Sequence, residues 1–124
     1  MHACAPGKCY LASLPDPDLL KWVRHPLAQV TRHTTTLAPK LLKELSVARQ
    51  RGYVVDRGEF VPGAGAVAAP MTDEAHNLVA VLALAAPTVE ITAAAIARWL
   101  PLMRSASTRL SQAFRAIGGA VGAQ

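Results

Sequence analysis

The sequence predicts an α+β fold, a largely antiparallel sheet flanked by helices. Three observations predict it. Helical apolar spacing occupies the chain before and after a central stretch. That stretch is filled by β-branched and alanine-rich runs. The connections between those runs are short turns, as antiparallel neighbours allow. Three strands are few for so many helices, so the reading leaves one sheet edge unaccounted for.

The elements follow in order. MHACAPGKCYLASL opens a short helix near Pro6 or Gly7, with Tyr10, Leu11 and Leu14 apolar. Proline suits a helix start, where its missing N–H would be unpaired anyway. Pro15 ends this helix. Asp16 reads as an N-cap with Pro17 at the first helical position, so DPDLLKWVRH is a second helix. LAQVTRHTTTL is either a loop or a short edge strand. Pro39 opens PKLLKELSVARQR, with Leu41, Leu42, Leu45 and Ala48 on one face, and Gly52 stops it.

YVVD is then a strand, and GEFVPGAG is a bend built on Pro62 and Gly63. AVAAPMT is a second strand, where Pro70 implies a bulge or an edge. DEAHN is a hairpin turn. LVAVLALAA is apolar on both faces, which predicts a central, covered strand ended by Pro87. Thr92 caps a last helix carrying Ile96, Leu100, Met103, Leu110, Phe114 and Ile117 on one face, with Ser107 out of pattern. Pro101 inside it predicts a kink or a break. GGAVGAQ reads as a frayed tail.

The 124 residues suit one domain, residues 1–124, of which 52% are hydrophobic and 17% charged, so the chain can bury a core. Much of the apolar content is alanine, which predicts a thin core. A net charge of +5 admits anionic ligands. It argues less for nucleic acid: Arg98, Arg104, Arg109 and Arg115 are spread along one helix, and 5% aromatic residues give no stacking platform. Without a charged-then-apolar leader or an apolar span of about 18 residues, the reading is a soluble cytoplasmic protein with no membrane association. Cys4 and Cys9 are then reduced thiols. Together with His2, His25, His33 and His76 they match no zinc spacing, so neither metal nor cofactor is expected. Cys9 reads as a small core residue. No nucleophile, base and oxyanion site assembles, which argues against an enzyme.

Three stretches together resemble one family. HACAPGKCYLASLP is similar to the HATAxGKAxLA segment of the effector-binding domain of IclR-family bacterial transcription regulators. LLKELSVARQRGYVVDRGEFVPGAGAVAAPMTDEAHNLVAVLALAAP resembles that family's run of an EL-x-x-x-R-x-x-G-Y-x-x-D segment, an acid-Gly turn, AAP-x-x-D and a final strand. The last helix resembles its closing helix. Gly7, Lys8, Leu11, Ala12, Leu45, Arg49, Gly52, Tyr53, Asp56, Glu59, Gly63, Ala68, Ala69, Pro70 and Asp73 fall in order. No single one is specific, but the ordered set is.

The resemblance implies a GAF-like sensor domain that binds a small, often carboxylate-bearing metabolite. Such regulators carry a winged helix-turn-helix domain, a linker helix and further sensor strands ahead of this region. The chain therefore reads as a partial effector-binding domain, lacking its first strands and touching DNA only through a domain outside this sequence. The resemblance also implies the ligand site. Ala5, Pro6 and Gly7 form the helix start that lines the pocket, although Pro6 has no N–H to offer a carboxylate. Asp56 is the pocket-facing acid. Arg57 and Glu59 read as loop residues, with Glu59 holding its turn through backbone contacts. The acids would then sit on a bend that forms one pocket wall. Ala66 is small and apolar at a pocket-lining position. Ala83 and Ala85 stand where the family often has two serines, on one face by strand alternation. The implied pocket is less polar than one built for glyoxylate or pyruvate. The expected effector is a larger, more apolar or aromatic organic acid, unless ligand binding is lost.

The function so implied is the sensor part of a regulator, controlling transcription by rearranging a homo-oligomer. The alternatives are a truncated oligomerisation or interaction module that modulates a full-length regulator, or a non-functional gene fragment.

Overall fold

A computed structural model describes residues 1–117; the expected frayed tail lies outside the described residues. Helices α1 (Ala5–Ser13), α2 (Asp16–Trp22) and α3 (Ala38–Arg51) precede strands β1 (Val54–Arg57), β2 (Ala64–Thr72) and β3 (Leu78–Pro87). A 3-10 turn, Thr88–Glu90, leads into α4 (Ala93–Ala116). The fold is α+β with an antiparallel sheet in the order β1-β2-β3. Residues 27–37, which permitted two readings, form a loop.

Prolines and one glycine set the helix limits. α1, α2 and α3 each carry a proline in their first two positions, where no intrahelical donor is lost. Gly52 ends α3 in the left-handed region at φ 82, with its N–H donating to the Ala48 carbonyl. Asp16 does not cap α2; Pro15 holds the cap position, and the Asp16 carboxylate pairs with Arg49 at 2.7 Å instead. α2 is also shorter than expected, ending at Trp22. Thr92 caps α4 as expected, accepting from Ala95 N at 3.1 Å. Pro101 does not break α4. The carbonyl it frees belongs to Ala97, and both residues are exposed, so water can satisfy it.

The expectation of a central, covered third strand is corrected. β2 is the central strand, and β3 lies at an edge of the sheet, with Ala83, Leu84 and Ala85 exposed. The cause is topological: two successive hairpins form a meander, whose middle strand is the second. Pro70 fits through the ladder's alternation. Gly58 N donates to the Ala64 carbonyl, so even positions of β2 face β1. Pro70 therefore aims its donorless nitrogen toward β1, beyond the last pair, Val54↔Ala68. The ladder to β3 slips once, between Met71 and Thr72, one step beyond Pro70, which itself pairs regularly with Val81.

The two sheet faces carry different cores. Even residues of β2 pack with Val54, Ala5 and Cys9 of α1, and Ala48 of α3. Val67 and Ala69 pack with Ile91 and with Ile96 and Met103 of α4. A third cluster, Leu11, Leu19, Leu41 and Leu45, joins the first three helices behind α1. Only the first half of the expected α4 stripe is covered: Leu110, Phe114 and Ile117 are exposed. By Arg115 the helix has reached the β2–β3 turn, where it pairs with Glu74 at 2.9 Å, and the sheet ends there.

Candidate ligand-binding face

The strand register brings distant residues into rows. Directly paired residues project to the same side of a sheet. Asp56 pairs with Ala66, and Ala66 with Ala85. Val54, Ala68 and Ala83 form the next row. Both rows face α1, because Ala66, Ala68 and Val54 share a core cluster with Ala5 and Cys9. Asp56, Ala66, Ala83 and Ala85 thus lie on one face, and the helix whose start is Ala5, Pro6 and Gly7 packs over that face. The face is closed at one end and open at the other: Ala5, Ala66 and Asp56 are buried, Pro6 and Gly7 half-buried, Ala83 and Ala85 exposed.

The start of α1 has no side-chain cap. Cys4 holds the cap position in an extended conformation without a capping bond. Among the described residues the N–H groups of Ala5 and Gly7 have no hydrogen-bond partner, as is usual for the first turn of a helix. The space above Gly7 is partly taken. A β-carbon there would lie 2.1 Å from the Met1 carbonyl oxygen, so the N-terminal backbone rests directly on this glycine. Gly7 is therefore a site of close backbone approach.

Asp56 caps its own turn. Its Oδ1 accepts from Glu59 N at 2.8 Å, and Oδ2 has no protein partner among the described residues. Burial pushes the carboxyl above the ordinary aspartate range and the Glu59 charge adds to this, while the backbone hydrogen bond and Lys8 oppose it.

Glu59 departs from expectation. Its side chain does not hold the turn through backbone contacts. Both its oxygens accept from Lys8 Nζ, at 2.6 and 2.8 Å, and Lys8 also reaches Glu44 at 2.8 Å. Thr35 Oγ1 donates to Glu44 at 3.0 Å and lies 3.3 Å from Glu59 Oε1. Lys8 is 3% exposed. One ammonium thus ties α1 to α3 and to the β1–β2 turn. Thr34 adds to the same turn by donating to the Glu59 carbonyl at 2.6 Å. The sequence reading missed this cluster. The usable signal was a lysine among the apolar residues of α1 and a glutamate beside Leu41 and Leu45 on α3.

A cleft of about 590 Å³ lies elsewhere, between α3 and β1. Its lining includes Lys8, Lys40, Lys43, Arg51, Arg57, Glu44 and Glu59, and none of the seven predicted ligand residues. Cys9 is buried, and desolvation pushes its thiol up to about 11, which makes it an inert core residue. Among the described residues no group of three or more His, Cys, Asp or Glu side chains is placed to hold a metal ion. No described helix is long and apolar enough to cross a membrane.

The family model for the C-terminal region of the bacterial transcriptional regulator IclR matches residues 1–112. The HTH-type transcriptional repressor AllR of Escherichia coli K12 is 33% identical over 93 residues, covering 74% of this chain and 34% of the repressor. AllR of Salmonella typhimurium is 34% identical over the same coverage. The chain thus spans about a third of the length of these curated relatives. Among solved structures, Thermotoga maritima IclR superposes with a TM-score of 0.82 at 27% identity, over 90% of this chain and 45% of that one. The inducer-binding domain of the Acinetobacter transcription factor PobR, a double mutant in complex with 3-hydroxybenzoic acid, gives 0.82 at 26% identity, over 89% and 64%.

Proposed function

Since the chain belongs to the IclR family of bacterial transcriptional regulators, as its C-terminal region, we propose that it is an effector sensor whose ligand is a small organic acid, more apolar or aromatic than glyoxylate or pyruvate. The ligand lies on the α1 face of the sheet. Its carboxylate meets the uncapped start of α1 at Ala5, Pro6 and Gly7, where free N–H groups and the helix dipole favour negative charge. Asp56 offers Oδ2 to a ligand hydroxyl. Ala66, Ala83 and Ala85 form an apolar floor without hydroxyls. Ligand binding then shifts the arrangement of a homo-oligomer in the cytoplasm, and so the DNA affinity of attached DNA-binding domains.

One observation carries this reading: the register sets Asp56, Ala66 and Ala85 in a single row beneath the helix that begins at Ala5. The aromatic acid in the PobR complex supports the choice of ligand class. Thermal shift tests it. A hydroxybenzoate at one hundred times its Kd contributes about 2.7 kcal/mol, a rise in Tm on the order of 10 °C for a domain of this size. Ala85→Phe, at an exposed position, abolishes that rise without lowering the unliganded Tm. Stabilisation by pyruvate or glyoxylate and by no aromatic acid overturns the reading.

The second reading, an interaction module that modulates a full-length relative, draws on the exposed stripe of Leu110, Phe114 and Ile117. It requires a Tm that rises with protein concentration in the absence of ligand.

A further inference from the structure

The cleft between α3 and β1 has two features that belong together. The first is an open sheet edge. Ladder alternation turns the N–H and C=O groups of Val54 and Asp56 toward β2. Those of Val55 and Arg57 therefore point away from β2, and both residues line the cleft. Neither has a backbone partner there among the described residues. The second feature is a row along α3. Lys40, Lys43, Val47 and Arg51 line the opposite wall and are all exposed.

The charge is unbalanced. Five cationic side chains line the cleft against two carboxylates. Both carboxylates, Glu44 and Glu59, are committed to Lys8. Lys40 and Lys43 have no acidic partner among the described residues. From Lys40 to Arg51 the helix advances about 16 Å, which five residues of an extended strand also span, at about 3.3 Å each. A five-residue strand thus matches the basic row in length.

We propose that this edge docks a protein partner that supplies an extended acidic segment, adding to β1 as a fourth strand. Val55 and Arg57 give the segment two donors and two acceptors. Its side chains alternate, so every second one faces α3. Those meet Lys40 and Lys43 at one end, Val47 in the middle and Arg51 at the other. The segment that fits has two acids placed two positions either side of an apolar residue. A lone small anion would use the lysines and leave the strand edge idle. Nucleic acid would find no Phe, Tyr or Trp in the cleft lining, and His33 alone as a ring to stack on.

The test is fluorescence polarisation with the full chain. The probe is a labelled seven-residue peptide with threonine at odd positions and glutamate, valine and glutamate at the second, fourth and sixth. It binds the wild-type chain. A peptide of the same sequence, N-methylated at the amides of one edge and then, separately, of the other, loses binding in one of the two forms. The double variant Lys40→Glu with Lys43→Glu, at exposed helix positions, keeps its circular dichroism spectrum and binds at least tenfold more weakly. Three results overturn the proposal: no binding to wild type, undiminished binding of both N-methylated peptides, or displacement by heparin or inorganic phosphate at equal charge concentration. The last two would mean a cationic surface that takes any anion.

Discussion

Replacing Lys8 with methionine tests the internal logic of the fold most directly. The substitution keeps the length and most of the volume of the side chain and removes its charge. It leaves Glu59, whose side chain is 11% exposed, with Thr35 as its remaining side-chain partner. Glu44, at 35%, keeps part of its hydration, so its share is discounted. Removing one partner from a buried ion pair costs about 3–5 kcal/mol, chiefly from the charge left behind. With the Glu44 share discounted, the expected loss is about 3 kcal/mol, a large part of the 5–15 kcal/mol that holds a typical domain. The assay is urea unfolding followed by circular dichroism, where the midpoint falls and the slope stays constant. The cost resides in the orphaned carboxylate. Adding Glu59→Gln to the methionine variant should therefore restore most of the loss, whereas Glu59→Gln in the wild-type background should destabilise. A loss below about 1 kcal/mol, or a double variant no better than the single one, would refute the reasoning. The same variant should weaken aromatic-acid binding, because Lys8 holds α1 to the turn that carries Asp56.

Asp56→Ala, losing the bond to Glu59 N, costs about 1 kcal/mol, whereas Asp56→Asn keeps an acceptor there and removes a buried charge. The folded-state pKa of Asp56 is raised, so the folded chain binds its proton more readily than the unfolded chain. Wild type should therefore gain stability relative to Asp56→Asn as pH falls into the window just above the ordinary aspartate value, checked by urea midpoints at pH 7 and near pH 4.5. A difference independent of pH refutes the assignment. Iodoacetamide at pH 8 should label half-buried Cys4 and spare Cys9, whose thiol is buried and pushed up to about 11, until urea unfolds the chain. Mass spectrometry of the native protein reads this, and equal labelling of both would refute it.

Much of the local structure was legible because local chemistry decides it. Pro6, Pro17 and Pro39 mark helix starts and Gly52 a helix stop through their own backbone preferences, whatever surrounds them. The Asp73 turn is as local: its Oδ1 accepts from Ala75 N and Asn77 N within a few residues. The alternation of Ala83 and Ala85, and their placement on the same face as Asp56, follow from strand period and hairpin register. The rank of the strands was legible too, but hydropathy pointed the wrong way. β3 is the more continuously apolar, yet connectivity makes β2 the middle strand.

By itself, then, the sequence determined the fold class, the limits of most elements and the residues that share the α1 face, because each depends on backbone preference or on a period of a few residues. Only the tertiary structure decided what Lys8 and Glu59 do. They stand 51 positions apart, and a buried ion pair exists only once packing has excluded water from both partners. The same holds for Gly7, whose need to be glycine comes from the Met1 backbone folded onto it. It holds also for the basic cleft, where α3 and an open strand edge meet through long-range packing that no local pattern encodes.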